Sequence, residues 1–290
     1  QANSATFNNG GGLFCASASV AVANNTFRNN SATNGAGVYL DWSPSVLTDN
    51  SFRVGAASSK GGGIYAGNAS PTISNNLFTI NTAANGAGIF LQYSSSAISG
   101  CTFMTNAASS SGGGVNSQNA STPSITGSTF TNNTASTGAG LYFYSVTPTI
   151  TGNTFTTNTA ASQGGGIYLY SAPGTIANNT FTTNSADTGS GTGGGIYAVY
   201  SSAITYANTF FDNRAFTGAG VYFYGSAPLI YSNTLRANIA TNVGGGIALL
   251  STSSASCVNN TVADNFASNG GAGIYCSALT STAVHNNIIA

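Results

Sequence analysis

A short glycine motif recurs along the whole chain and sets a repeat of about 26 residues. The motif is Gly-(Gly/Ala)-Gly followed by Ile, Val or Leu. Its third glycine falls at Gly12, Gly37, Gly63, Gly88, Gly114, Gly140, Gly166, Gly195, Gly220, Gly246 and Gly273. The steps are 25 to 29 residues, and the longest contains the insertion 187–192. Because nothing interrupts the series, we predict a single repetitive domain over residues 1–290.

Other positions recur at fixed distances from the glycines. An apolar column comprises Phe27, Phe52, Phe78, Phe103, Phe130, Phe155, Phe181, Phe210, Leu235, Val262 and Ile288. Five residues after each of the first ten members stands an alanine, from Ala32 to Ala267. Asparagines recur two residues before and three residues after this column, as in Asn153 and Asn158 around Phe155. We expect these amides to hydrogen-bond from rung to rung and to occupy the tight corners.

The repeat predicts an all-β, single-domain, right-handed parallel β-helix (β-solenoid) of about 11 coils of about 26 residues. Short stretches of β-branched and aromatic residues alternate with Gly, Ser and Asn, and no segment shows a helical apolar stripe. We predict three short strands in each coil. The Ile after the glycines, the residue two further on, the Phe, and the Ile five before the Phe should face inward.

The composition narrows the classes of partner. Only 3% of the residues are charged and the net charge is zero, against about 25% charged in an average domain. The chain is therefore not expected to bind nucleic acid or an anionic membrane. No apolar run approaches the ~20 residues of a membrane-spanning helix. Neither a metal-ligand cluster nor a phosphate-binding loop is present, and we predict no cofactor.

The four cysteines fit neither a dense disulfide framework nor a metal site. They are Cys15, Cys101, Cys257 and Cys276. We expect buried or half-buried free thiols, with a Cys257–Cys276 disulfide as the alternative.

One pair of acids deserves comparison with polysaccharide-degrading enzymes. Asp212 and Asp264 both stand two residues after the apolar column, two coils apart. Two rungs place their backbones roughly 9.6 Å apart, which suits an inverting glycosidase pair. The opposing interpretation, which we favour, is a solvated salt-bridge cluster with Arg214 and Arg236.

Aromatic residues form the candidate contact face, since alternation points them outward from the sheet that follows the glycines. The face comprises Tyr39, Tyr65, Tyr142, Tyr144, Tyr168, Tyr170, Tyr197, Tyr222, Tyr224 and Tyr275, with Phe90, Trp42 and Tyr93 near it. Two interpretations stay open: rung-to-rung stacking that stabilises the sheet, and a surface for glycans or for lateral packing. Threonines flanking Phe130, Phe155 and Phe181 form a smaller array, of a kind seen in ice binding.

The two ends of the repeat series lack a polar cap. Asn3-Ser4-Ala5 matches Asn30-Ser31-Ala32, and the series stops at Ile288-Ile289-Ala290, so tail followed by head nearly completes one more coil. Head-to-tail stacking of chains into a filament and a fragment of a longer solenoid are equal alternatives.

The repeat resembles that of chlamydial-type polymorphic outer membrane proteins and related right-handed β-helix surface proteins. The matching stretches include Gly63-Ile64 with Phe78-Thr79-Ile80-Asn81, and Gly166-Ile167 with Phe181-Thr182-Thr183-Asn184. The resemblance implies a secreted or cell-surface, adhesin-like solenoid without a cofactor. Those proteins also carry a membrane β-barrel that has no counterpart in these residues, so membrane anchoring is not carried over.

These observations favour a non-enzymatic, extracellular structural or adhesive protein that self-associates. The second hypothesis is a carbohydrate-binding solenoid that uses the tyrosine face. A polysaccharide-degrading enzyme comes third.

Overall fold

A computed structural model describes residues 3–186, 188–251, 254–278 and 281–290. These residues form strands, turns and bends and contain no helix. The strands make four parallel sheets of eleven strands each, and every coil contributes one strand to each sheet in turn. We name the sheets A to D in the order in which a coil visits them, and number the coils 1 to 11 from the N-terminus.

Sheets A and B lie on either side of the glycine motif. Sheet A contains Ser4–Asn9, Ser31–Asn34, Ala56–Lys60, Thr82–Asn85, Ala107–Ser111, Thr134–Thr137, Thr159–Gln163, Ser185–Ala186, Arg214–Ala215, Ile239–Ala240 and Phe266–Ala267. Sheet B contains Leu13–Ala16, Val38–Asp41, Ile64–Gly67, Ile89–Gln92, Val115–Gln118, Leu141–Tyr144, Ile167–Tyr170, Ile196–Val199, Val221–Tyr224, Ile247–Leu250 and Ile274–Ser277.

Sheets C and D complete each coil with strands of two or three residues. Sheet C contains Ala21–Ala23, Val46–Thr48, Thr72–Ser74, Ala97–Ser99, Ser124–Thr126, Thr149–Thr151, Thr175–Ala177, Ile204–Tyr206, Leu229–Tyr231, Ser256–Val258 and Ala283–His285. Sheet D contains Thr26–Arg28, Ser51–Arg53, Leu77–Thr79, Thr102–Met104, Thr129–Thr131, Thr154–Thr156, Thr180–Thr182, Thr209–Phe211, Thr234–Arg236, Thr261–Ala263 and Ile288–Ile289.

The structure confirms the predicted parallel solenoid of about eleven coils, but three strands per coil was wrong. The missed strands are those of sheet A, the polar and alanine-rich segment that reads as a turn. This segment pairs in register with its neighbours, as in Ser31↔Ala56 and Ala32↔Ala57, before a register shift at its end. Ladder hydrogen bonds to the coils on either side therefore outweigh the weak strand propensity of Ser, Asn and Ala.

The main core lies between sheets B, C and D. The columns predicted to face inward are buried there in coils 2 to 10, including Ile64, Ile73 and Phe78. The prediction for coil 11 was wrong, because Val262 pairs with Ile289 and not with Ile288, and both isoleucines are exposed. Rings of the phenylalanine column stack from Phe27 to Phe210 with centroids 4.7–4.9 Å apart and planes within 9° of parallel. The spacing equals the distance between neighbouring strands, so one ring fits each rung.

The third glycine of the motif is required by this packing. A Cβ on Gly63 would lie 2.5 Å from the carbonyl oxygen of Gly88 and 2.7 Å from the ring of Phe78. The space that a Cβ would occupy is therefore already filled by the next coil and by a core ring, and only glycine fits there. The alanine column faces a separate, small cluster under sheet A that includes Ala83, Ala87 and Ala160.

The two asparagine columns form buried hydrogen-bonded ladders, as predicted. In the first, the backbone N–H of Asn50 donates to Oδ1 of Asn76 at 2.9 Å, and Nδ2 of Asn50 donates to the same oxygen at 3.0 Å. Cys101 and Ser128 replace asparagine in two coils, and the Ser128 hydroxyl accepts the N–H of Cys101 at 3.1 Å. Each ladder thus satisfies backbone groups that turn away from the sheets.

The expectation that these asparagines themselves take the tight-turn conformation was wrong. The left-handed residue is the one before the ladder asparagine, such as Asp49 (φ 54°) before Asn50 or Asn75 (φ 55°) before Asn76. The preceding residue absorbs the strained turn, and the ladder side chain can then point inward.

Candidate interaction surface

The second residue of the sheet B strands carries the first tyrosine column. Tyr142, Tyr168, Tyr197 and Tyr222 stack in consecutive coils with centroids 4.8–5.1 Å apart. A second stack of four rings joins Phe14, Tyr39, Tyr65 and Phe90. All the tyrosines of this column, including Tyr275, are only half-buried rather than exposed, and Phe90 is fully buried.

Residues at the ends of the sheet A strands cover this column. The ammonium of Lys60 lies 4.7 Å from the centroid of the Phe90 ring, an attractive cation–π geometry. Tyr65 donates its hydroxyl hydrogen to Oε1 of Gln92 at 3.0 Å, and Lys60 donates to the same oxygen at 3.2 Å. Four coils further on, Nε2 of Gln163 donates to the Tyr197 hydroxyl at 3.3 Å. The first column is therefore mainly a stabilising stack.

Burial shifts the ionisation of these phenols. Desolvation raises the pKa of Tyr65 and of Tyr142 to about 12, and neighbouring tyrosines add to the effect. The pKa values of Tyr39, Tyr168, Tyr197 and Tyr222 are raised for the same main reason. These six phenols therefore keep their protons to a higher pH than free tyrosine does.

A second, more exposed set of rings lies where sheet B ends. Tyr144 and Tyr170 stack at 5.2 Å, with planes 9° apart. Tyr200 stands between Tyr170 and Tyr224 in the coil order and is turned edge-on to both, with interplanar angles of 86° and 75°. Its exposed fraction of 53% exceeds the 40% of Tyr144 and the 37% of Tyr224.

Sequence reasoning missed Tyr200 and also the stacked pair of Tyr206 and Tyr231 in sheet C, whose centroids are 4.9 Å apart. Tyr200 follows its sheet B strand directly, as Trp42 and Tyr93 follow theirs. All three are more than half exposed and have left-handed backbones. Alignment on this corner position would have grouped them.

The turn between sheets B and C in coils 5 to 7 also holds a notch of about 430 Å³. Its walls comprise Ala120, Ser121, Thr122, Ser145, Val146, Thr147, Ser171 and Pro173. The lining combines hydroxyl groups with small apolar surfaces.

The acidic pair is engaged in salt bridges. Oδ1 of Asp212 lies 3.2 Å from Nη2 of Arg214, and Oδ2 of Asp264 lies 2.8 Å from Nε of Arg236. The cluster predicted from the sequence is thus present. Both ion pairs are solvent-accessible and contribute little to stability. Asp187, the remaining acid of this half, lies outside the described residues.

The cysteines are all free thiols, as expected, and the alternative disulfide between Cys257 and Cys276 is absent. Three are buried, whereas Cys276 is exposed. Burial raises the pKa of Cys101 to about 11 and that of Cys257 to about 12. In the described part of the chain, no three His, Cys, Asp or Glu side chains gather as a metal site. No helix there is long and apolar enough to cross a membrane.

The stacked parallel coils define the class of protein as a β-solenoid. The family model described as "Right handed beta helix region" matches residues 1–109 and 87–266. The chain therefore belongs to the right-handed β-helix family. No curated protein and no solved structure matches it significantly.

Proposed function

We propose that this protein is a non-enzymatic, extracellular structural or adhesive solenoid. The observation that carries the proposal is the continuity of its ladders: phenylalanine rings and buried amides stack rung on rung through most of the coils. Such a rod resists local opening, because each rung is held by both neighbours. Its outer residues are mainly Ser, Thr, Asn and Tyr, which suit contact with other surfaces more than proton transfer.

The proposed location rests on the repeat itself. The Gly-Gly-Gly-Ile and Phe-x-x-Asn elements resemble those of polymorphic outer membrane proteins, which are surface proteins. Detection of the protein on intact cells or in the culture medium, with a cytoplasmic protein as the control, tests this location. Recovery of the whole pool in the soluble cell interior would contradict it.

Self-association forms part of the same proposal, and the polarity of the ladders supports it. Wherever ladder asparagines stand in successive coils, the backbone N–H of one donates to Oδ1 of the next toward the C-terminus, as from Asn158 to Asn184. Two rods are therefore complementary head to tail and not head to head. Native mass spectrometry and negative-stain imaging should show assemblies that lengthen with concentration. A monomer at every concentration would contradict the proposed self-association.

Turnover assays test the non-enzymatic assignment. The purified chain should release no product from a panel of neutral and acidic polysaccharides over prolonged incubation. Product release that is abolished by Asp212→Asn or Asp264→Asn, with Asp41→Asn as the matched control, would overturn the proposal in favour of a glycosidase.

Carbohydrate binding is a second candidate function. The specific observation in its favour is the set of exposed rings at the end of sheet B, above all Tyr200. The half-buried first column offers little ring surface by comparison. Aromatic rings with a polar tip are well suited to surfaces that are partly apolar and partly wet.

A further inference from the structure

The turn between sheets B and C, named here the B–C corner, combines three features in coils 5 to 9. They are the notch, the exposed tyrosines and an uncharged border. Each follows from a different property of the chain.

The notch exists because the corner of coil 5 is longer. Residues 119–123 separate its sheet B and sheet C strands, whereas only residues 145–148 do so in coil 6. The additional length is absorbed by two consecutive left-handed residues, Asn119 (φ 71°) and Ala120 (φ 42°). Because the backbone bulges here, the corner cannot follow the path of its neighbours.

Ser121 lines the notch, but its hydroxyl oxygen is buried. The residue is only 6% exposed, and its Oγ has no hydrogen-bond partner in the described structure. A buried hydroxyl without a partner is unfavourable. The Ser121 oxygen is itself closed to solvent, so the hydroxyl groups available to a ligand in the notch are those of Ser145, Thr147 and Ser171, which line the same space.

The tyrosines continue from the notch along the axis. Tyr144 and Tyr170 immediately precede Ser145 and Ser171 of the notch wall. In coil 8 the Tyr200 ring packs over Gly225 of the next coil, where an added Cβ would lie 2.7 Å from the ring. Glycine therefore lets Tyr200 take its edge-on orientation between Tyr170 and Tyr224.

The border of this surface carries no charge. Residues 118–123, 144–148, 170–174, 199–203 and 224–228 include no Asp, Glu, Lys, Arg or His. An acidic polymer would find no cation to pair with along the corner. Hydroxyl groups and apolar ring faces in alternation match the edges and faces of neutral sugars.

We propose that the B–C corner of coils 5 to 9 binds one uncharged, linear polysaccharide that lies along the solenoid axis. One sugar occupies the notch beside the hydroxyls of Ser145, Thr147 and Ser171, and later sugars pack on the tyrosines, with Tyr200 as the main platform. Four rungs span about 19 Å at the usual strand spacing. This inference rests on the second candidate function and names its site and ligand class.

Isothermal titration calorimetry of the full chain tests the inference. The probes are hydroxyethylcellulose, xyloglucan and galactomannan, with polygalacturonate as the acidic comparison. At least one neutral polymer should bind, and polygalacturonate should not. Tyr200→Ala and Thr147→Ala should each weaken binding about twofold to tenfold, the worth of one ring contact or one hydrogen bond.

Tyr93→Ala is the matched control. Tyr93 occupies the same corner position in coil 4, with φ 52° against 50° for Tyr200 and 56% exposure against 53%. Its loss should leave the affinity unchanged. Because Thr147 is exposed, Thr147→Ala should not lower the melting temperature, and weaker binding in that variant cannot be ascribed to unfolding.

Several outcomes would overturn the inference: no binding of any neutral polymer, binding of polygalacturonate alone, or full affinity in both variants. Self-association abolished by Tyr200→Ala, without polysaccharide binding, would instead identify the corner as a lateral contact between copies. None of these results bears on the non-enzymatic assignment, which only product release would contradict.

Discussion

Single hydroxyl groups mark the places where the core departs from its repeat. Thr205 replaces isoleucine between Ile176 and Ile230 in sheet C, and its Oγ1 is buried without a partner. Ser117 likewise stands between Leu91 and Phe143 in sheet B, with an unpartnered Oγ. Both side chains are fully buried. Each hydroxyl was desolvated without compensation, so each costs stability.

Thr205→Val should therefore stabilise the fold. Valine keeps the branched shape and removes the unpaired hydroxyl, and we expect the free energy of unfolding to rise by about 1 kcal/mol. Denaturant titration measures the change. Thr175→Val, in the same sheet but half-buried and facing outward, is the control and should have little effect. A loss of stability in Thr205→Val would show that its hydroxyl has a partner.

The tyrosine stack predicts a loss of stability in alkali. Because burial raises the pKa of Tyr65 and Tyr142 to about 12, the folded chain holds these protons where the unfolded chain, with phenol pKa values of about 10, has lost them. Their contribution is complete below about pH 10 and falls as the pH rises toward 12. Unfolding free energies between pH 8 and pH 12 measure the slope.

The control for this titration is Tyr142→Phe, which retains the ring and removes the ionising group. Its free energy of unfolding should still fall between pH 10 and pH 12, but by less than that of the unaltered chain. An equal slope in the variant, or phenolate absorbance that rises in one step near pH 10, would contradict the assigned burial.

The sequence predicted which way the sheet B aromatic residues point but not how exposed they are. Period-2 alternation placed Tyr65 and Phe90 on the outer side of sheet B, which is correct. It could not show that Lys60 and Gln92 lie over them, since those contacts join different coils and sheets. Exposure of an outward residue depends on such neighbours, and for this reason Tyr200 rather than the first column has the open ring.

At the scale of the elements, the asparagine ladders form hydrogen bonds between coils at backbone groups that the short strands leave unpaired. Asn153 accepts the N–H of Ser128 through Oδ1 at 2.8 Å and donates to the carbonyl of Ile125 at 2.8 Å. Its own N–H and Nδ2 continue the ladder to Asn179. A single side chain thus serves one backbone group in a strand and one in a turn of the preceding coil, and links them to the next coil.

Asn153→Ala should destabilise the chain by about 2–4 kcal/mol, because it leaves two buried backbone groups unpaired. Asn153→Ser should cost at least about 1 kcal/mol less, since a serine hydroxyl already accepts the equivalent N–H in the coil before it. Denaturant unfolding of both variants provides the comparison. Equal losses would show that the side chain acts through packing and not through the ladder.

Element boundaries were predictable only in part. The Phe column and the two Ile columns identified sheets D, B and C. The alanine column was recognised, but its sheet A was not, because the residues around the alanines are small and polar. After coil 7 its strands shrink to two residues, and the insertion 187–192 falls there. Register with neighbouring coils, which no local pattern encodes, decides whether such a segment counts as a strand.

At the scale of the whole molecule, the protein is a rod whose rungs are nearly interchangeable. Paired strands place identical residues beside each other in neighbouring coils, as in Phe103↔Phe130 and Ile125↔Ile150. A surface that repeats every rung suits extended partners, including other rods and linear polymers. Departures from the repeat, such as the bulge at Ala120, are where specific recognition is expected.

Spin-label distances along one edge of sheet D test this rod most directly. Thr26, Thr154 and Thr234 are exposed at the same strand position in coils 1, 6 and 9, and Cys276→Ser removes the exposed native thiol. Double electron–electron resonance should give about 24 Å for labels at 26 and 154 and about 38 Å for labels at 26 and 234. Distances that do not grow with the number of intervening coils would contradict the stacked solenoid.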